Sequence, residues 1–254
     1  MSDALTQVEF EFVSMGQGPA PALLFLHGLF GHPTNWQPMM EALAGEYRVL
    51  ALRYPFFEDK RLHGVQALTD YTLAFMDSQG IERASLCGNS LGGQIALDLC
   101  LKQPLRLNKL ILAGSAGLWE AQPNSQLPRA TREFIRQQAE KIFHDPRHVD
   151  DELIEKLYEM LQDRVFVRTL LRLARDTQAY TLDDKLQYIQ QPTLLVWGEN
   201  DKITPPEVAR VFKQKIPGSR LVFLPQCGHA PPLEQPERFT EEIRSFLSEP
   251  FGQA

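Results

Sequence analysis

A hydroxyl becomes a useful nucleophile where the chain lifts it clear of its neighbours, sets a base against it and fixes that base with a third group. The segment Gly88-Asn89-Ser90-Leu91-Gly92-Gly93 meets the first condition. An apolar run ending at Cys87 passes straight into a helical pattern, which predicts a tight strand-to-helix turn with Ser90 at its tip. Bulky side chains two residues either side of such a tip would collide, and Gly88 and Gly92 remove them. Chance alone places a bare Gly-x-Ser-x-Gly in roughly one chain of this length in ten. The signal therefore lies in the setting more than in the pattern.

The base and its orienting acid are expected later in the chain, beyond strand ends. Asp201 closes Trp197-Gly198-Glu199-Asn200-Asp201, just past the apolar run Thr193 to Trp197. His229 closes Pro225-Gln226-Cys227-Gly228-His229, past the run Arg220 to Leu224. Glu199 and Asp183 compete for the acid's place, and strand end and order favour Asp201. An anion forming on a substrate carbonyl needs two backbone N–H donors. Leu91, directly after Ser90, is one; Leu29, in His27-Gly28-Leu29-Phe30-Gly31 after the run ending at Leu26, is the other. Phe30 and Trp119 are expected to touch substrate, and Trp36 either joins them or fills core. His27 is expected to tie its own loop.

The elements that must hold these residues follow from periodicity. Short β-rich runs cover Val8 to Val13, Ala22 to Leu26, Tyr47 to Leu52, Ala84 to Cys87, Lys109 to Leu112, Thr193 to Trp197 and Arg220 to Leu224. Between them lie amphipathic patterns such as Leu91, Ile95, Leu99 and Phe239, Ile243, Phe246, Leu247. This alternation predicts a parallel sheet covered by helices. It lapses over 118–188, where three helical patterns follow one another behind an entry loop at Gln122 to Gln126. Residues 1–117 and 189–254 are expected to form the core, and 118–188 a helical lid.

Composition narrows the partners. The 254 residues are 43% hydrophobic and 23% charged, enough to bury one large core. A formal charge of -6 gives no electrostatic reason to expect nucleic acid or an anionic membrane, so small molecules are the expected partners. The start Met1 to Gln7 lacks the basic and apolar regions of a secretory signal, and a soluble cytoplasmic protein is expected. Three cysteines form no paired framework and receive no catalytic role. His144 and His148 are separated by Pro146 and lack partner ligands, so no metal site is expected. Arg164, Arg168, Arg172 and Arg175 recur at helical spacing, either as a solvated face or as a site for an anionic substrate.

Through His27-Gly28, Gly88 to Gly93, Gly198 to Asp201 and Gly228-His229, the chain resembles the α/β-hydrolase superfamily along its whole length. Within it, the elbow and Cys227-Gly228-His229 are similar to carboxylesterases and to carbon-carbon hydrolases of aromatic meta-cleavage pathways. The resemblance implies an α/β-hydrolase fold: a mostly parallel eight-stranded sheet flanked by helices, with a helical lid after strand six. It also implies a Ser90, Asp201, His229 triad with Leu29 and Leu91 as oxyanion donors. One departure is Arg53-Tyr54-Pro55-Phe56-Phe57, where many relatives carry an acidic residue and a glycine-rich turn. The expected activity is hydrolysis of small to medium carboxylic esters through an acyl-enzyme on Ser90, without cofactor. Hydrolysis of a carbon-carbon bond in a dienoic acid, and a ligand receptor built on the same fold, are the alternatives.

Overall fold

Runs of four to seven residues rich in β-branched and aliphatic side chains become strands, and longer stretches with one apolar face become helices. The structure, a computed structural model, describes residues 9–17, 20–59, 62–118 and 130–250. The strands are β1 (Phe12–Met15), β2 (Ala20–Leu26), β3 (Tyr47–Leu52), β4 (Ala84–Asn89), β5 (Leu107–Ala113), β6 (Thr193–Gly198) and β7 (Arg220–Leu224). They form one sheet in the order β1-β3-β2-β4-β5-β6-β7, antiparallel only between β1 and β3. The helices are α1 (Gln37–Leu43), α2 (Gly64–Ser78), α3 (Leu91–Lys102), α4 (Arg132–Ile142), α5 (Asp151–Met160), α6 (Arg164–Ala179), α7 (Pro206–Lys215), α8 (Pro231–Glu234) and α9 (Pro236–Ser248).

The period of two along each strand divides the core between the sheet's faces. Leu24, Leu26, Leu86, Leu110, Leu112, Leu195 and Trp197 pack with α2, α3 and α7. Leu23, Phe25, Cys87, Ile111, Leu194 and Val196 pack with α1 and α9. All of these are fully buried, which explains why the central strands read as unbroken apolar runs.

Three expectations need correction. Among the described residues the sheet has seven strands, not eight, and the inserted helices follow the fifth, β5. β1 and β7 are the edge strands, and β1 pairs only with β3. Residues 9–11, just before β1, form no strand, and the Phe10 ring packs 4.9 Å from Tyr71 and 5.5 Å from Phe75. The first strand also begins at Phe12, later than Val8. The start Met1 to Gln7, Val8, Trp119 and the entry loop Gln122 to Gln126 lie outside the described residues.

Each of α4, α5 and α6 starts on a side-chain cap, from Thr131, Asp150 and Asp163 respectively, which accepts a bond from an otherwise orphaned amide. α4 and α5 bury Ile135, Ala139, Val149 and Ile154 in a small cluster apart from the sheet's two cores. On α5 the buried position is Ile154. The far end of α6 is fastened to α3: Gln94 Nε2 donates to the carbonyls of Thr177 at 3.0 Å and Tyr180 at 2.6 Å, and the Tyr180 hydroxyl donates to Asp98 Oδ1 at 2.7 Å. Its near end stacks Phe166 on Phe57 with ring centroids 4.0 Å apart. No helix among the described residues is long and apolar enough to cross a membrane.

Candidate active site

The turn from β4 to α3 is as tight as its glycines suggest. A Cβ on Gly92 would collide with the Leu26 carbonyl, and one on Gly88 with the Gly92 carbonyl. Ser90, at the tip, has φ 55° and ψ -119°, a left-handed conformation that costs a non-glycine residue about 1–3 kcal/mol. Its amide donates to the Ala113 carbonyl at 3.0 Å, and its carbonyl accepts from the Ala116 amide at 3.1 Å. The end of β5 therefore braces the tip from behind.

The same strand end supports the other two predicted residues. Gly114 has φ +48°, and a Cβ there would lie 3.1 Å from His229 Nδ1 and 3.2 Å from Asp201 Oδ2. Asp201 and His229 are thus brought together directly above β5. His229 Nδ1 is 2.9 Å from Asp201 Oδ2, with both side chains buried. Asp201 Oδ1 accepts from the amides of Ile203 at 2.8 Å and Thr204 at 2.9 Å, and Oδ2 also accepts from the Thr204 hydroxyl at 2.9 Å. Four hydrogen bonds hold the carboxylate in one orientation and satisfy the charge that burial would otherwise penalise. The acid loop is pinned in turn by Trp197, whose Nε1 donates to the Thr204 carbonyl at 2.7 Å. Asn89 Nδ2 reaches from the elbow to the His229 carbonyl at 3.1 Å.

Neither the Ser90 hydroxyl nor His229 Nε2 bonds to another described residue. The amides of Leu29 and Leu91 likewise donate to no described residue. The loop carrying Leu29 abuts the serine, since a Cβ on Gly28 would lie 3.3 Å from Ser90 Cβ and 3.8 Å from its Oγ. A strained serine, a carboxylate-bound imidazole with one nitrogen free and two unspent amides all stand at the carboxyl ends of parallel strands, where such sheets place their ligands.

Known proteins share this arrangement of strands and turns. Residues 23–242 match the alpha/beta hydrolase family. The chain belongs to that family. It is 28% identical to a pimeloyl-[acyl-carrier protein] methyl ester esterase of Nitrosomonas europaea, over 87% of this chain and 94% of the relative. It is 29% identical to a 2-hydroxy-6-oxo-6-(2'-aminophenyl)hexa-2,4-dienoic acid hydrolase of Metapseudomonas resinovorans, over 95% of this chain and 88% of the relative. Among solved structures, a thermophilic esterase from Thermogutta terrifontis superposes with a TM-score of 0.74 at 26% identity, covering 94% of this chain and 92% of that one.

The remaining candidates sort by their surroundings within this alpha/beta hydrolase. Phe30 is 52% exposed beside the Leu29 loop. Trp36 is buried and stacks on Phe25 at 4.9 Å, so it fills core. Glu199 is exposed, and Asp183 is bound to Lys215 Nζ at 2.7 Å, which leaves Asp201 as the acid at the histidine. Arg164, Arg168, Arg172 and Arg175 are exposed on α6, and Arg172 pairs with Asp176. Arg53 to Phe57 builds an aromatic wall instead of a glycine-rich turn, with Tyr54 and Phe56 stacked at 5.4 Å beside His27. Burial pushes the thiols of Cys87, Cys100 and Cys227 up, Cys100 to about 12, which keeps them from acting as thiolates. No group of three His, Cys, Asp or Glu among the described residues is placed to hold a metal ion.

Sequence reasoning missed Thr204 and Gly114. An Asp followed three residues later by Thr is the spacing of a turn in which the carboxylate caps the next amides. Gly114, directly after a strand at the same sheet edge as the elbow, was the other available sign.

Proposed function

We propose that the chain is a serine hydrolase of small to medium carboxylic esters, with Ser90 as nucleophile, His229 as general base and Asp201 as the acid that orients it. The observation that carries this reading is the Asp201 to His229 hydrogen bond with Nε2 left free, on the strand end that also braces strained Ser90. Ser90 Oγ attacks the acyl carbonyl while His229 Nε2 takes its proton. The amides of Leu29 and Leu91 hold the resulting oxyanion, and Asp201 stabilises the imidazolium. His229 then returns the proton to the departing alkoxide, and the alcohol leaves an acyl-enzyme. Water, deprotonated by the same imidazole, attacks the acyl carbon and frees Ser90. Helices α4 to α6 serve as a lid over the strand ends, with Phe30 lining the acyl side.

An ester is favoured over a dienoic acid because no arginine among the described residues is buried where it could clamp a substrate carboxylate. Asp151 to Tyr158 contains no arginine, and the four on α6 are exposed. The dienoic acid hydrolase of Metapseudomonas resinovorans keeps carbon-carbon cleavage as the second reading, since it is as similar to this chain as the methyl ester esterase.

The test is labelling with a fluorophosphonate followed by peptide mapping, with turnover of p-nitrophenyl acetate and butyrate compared with that of a ring-fission dienoate. Label on the Ser90 peptide, absent from Ser90→Ala, with esters turned over faster, is the expected result. Label elsewhere or none returns the chain to the receptor reading. A higher kcat/KM for the dienoate overturns the ester assignment.

A further inference from the structure

The loop that carries His229 is held from two sides. On one side is the elbow, through Asn89 and the His229 carbonyl. On the other is the inserted segment between β5 and β6. The His229 amide donates to the carbonyl of Ile142, the last residue of α4, at 2.7 Å. A helix leaves its final carbonyls without internal partners, so this bond satisfies α4's end with the histidine's own backbone.

One side chain reinforces that junction. Glu234 Oε1 accepts from the Gly228 amide at 2.8 Å and the Ala230 amide at 3.4 Å, the two residues flanking His229. Its other oxygen, Oε2, accepts from the His144 amide at 2.6 Å, two residues past the end of α4. The fit is close, because a Cβ on Gly228 would lie 2.8 Å from the His144 nitrogen and 3.0 Å from Glu234 Oε1. A carboxylate offers acceptors only, which is what three converging amides require.

We infer that Glu234 is a positioning residue: it clamps the backbone on both sides of His229 to the end of α4, so that the inserted helices set where the general base sits. The inference rests on His229 acting as that base. It goes beyond the triad by assigning the insertion a part in assembling the site, in addition to covering it.

Glu234→Gln separates the two halves of the clamp. Whichever way the amide is turned, one end presents N–H groups to a backbone N–H, so either the His144 or the Gly228 contact is lost while size is kept. Glu234→Ala removes both. With p-nitrophenyl butyrate, kcat is expected to fall about tenfold in Glu234→Gln and about a hundredfold in Glu234→Ala, with KM within about twofold, since small misplacements act on the reaction step. The low-field proton resonance of the His229 Nδ1 to Asp201 bond, identified by its absence in His229→Ala, is expected to weaken in Glu234→Gln and vanish in Glu234→Ala. In a His229→Ala background, adding Glu234→Gln should leave residual fluorophosphonate labelling unchanged.

An unaltered resonance with kcat within about twofold of wild type in Glu234→Gln overturns the proposal. So does an equal loss of labelling in the His229→Ala background, which marks a merely structural role. If Glu234→Ala does not fold, Glu234→Gln carries the test. If the wild type neither labels nor turns over esters, the resonance alone still decides whether Glu234 fixes His229, and the failure belongs to the hydrolase reading.

Discussion

His27 and His229 are both buried at the carboxyl edge of the sheet, one in the loop after β2 and one in the loop after β7, and their rings are used in opposite ways. His27 spends both nitrogens on backbone: Nδ1–H donates to the Gly28 carbonyl at 2.7 Å, and Nε2 accepts from the Tyr54 amide at 3.1 Å. Burial pulls its imidazole down to about 4, so it stays neutral and holds its loop against the aromatic wall. His229 spends Nδ1 on a carboxylate and keeps Nε2 free. A buried histidine is available for proton transfer when one nitrogen has been left over and the other has a partner that welcomes a positive charge. On the proposed reading the contrast separates a structural from a chemical histidine more sharply than burial does.

The largest expected effect would break that contrast if it failed. His229→Ala should lower kcat by roughly 10^4-fold or more with little change in melting temperature, and adding Ser90→Ala should cost little further, because the residues act as a unit. His27→Gln should leave kcat within about tenfold. Kinetics and thermal melts on the three variants check this, and a comparable kcat loss at His27 would erase the distinction.

The next effect is on stability and concerns His27 alone. Its folded-state pKa lies below its unfolded value, so the unfolded chain takes up the proton first and stability is lost as pH falls from 6.5 toward 4. The loss is on the order of 3 kcal/mol by pH 4. Urea titrations at several pH values should show a wild-type decline that exceeds that of His27→Gln by this amount. Parallel curves for the two proteins would mean that His27 is not held neutral.

Smaller effects sharpen the account of His229. Thr204→Val removes one of four hydrogen bonds to Asp201 and should lower kcat by roughly threefold to tenfold, the equivalent of about 1 kcal/mol. An unchanged kcat would show that the remaining three bonds orient the acid alone. Smallest of all, Arg164→Ala with Arg168→Ala should change kcat/KM for p-nitrophenyl butyrate by no more than about twofold, as for other exposed surface positions. A large loss would place the α6 face at the substrate.

The placement of Ser90, Asp201 and His229 at the sheet's edge was legible because each sits at a fixed offset from a strand end, and strand ends can be read from apolar runs. The bounds of β3 match its apolar run for the same reason, since burial of an inner strand writes itself into consecutive residues. The edge strand β1 was placed too early because a half-exposed strand leaves a weaker pattern than the buried ones beside it. Thr204, Gly114 and Glu234 were not legible as site residues. Their roles arise where separate loops meet, Thr204 and Gly114 at the Asp201 to His229 pair and Glu234 between α8, α4 and the His229 loop. No periodicity records which loops will touch.

The small cluster of Ile135, Ala139, Val149 and Ile154 gives α4 and α5 a separate hold on the folded state. It has far fewer buried members than either core of the sheet, so the two helices are expected to open at a lower free energy than the whole chain. Amide exchange should accordingly be faster along α4 and α5 than along β4 and β5. Because Ile142 and His144 are joined to the His229 loop, each such opening would also release the histidine, and in the proposed mechanism the fraction of molecules able to react at any instant would be capped by the stability of this small cluster.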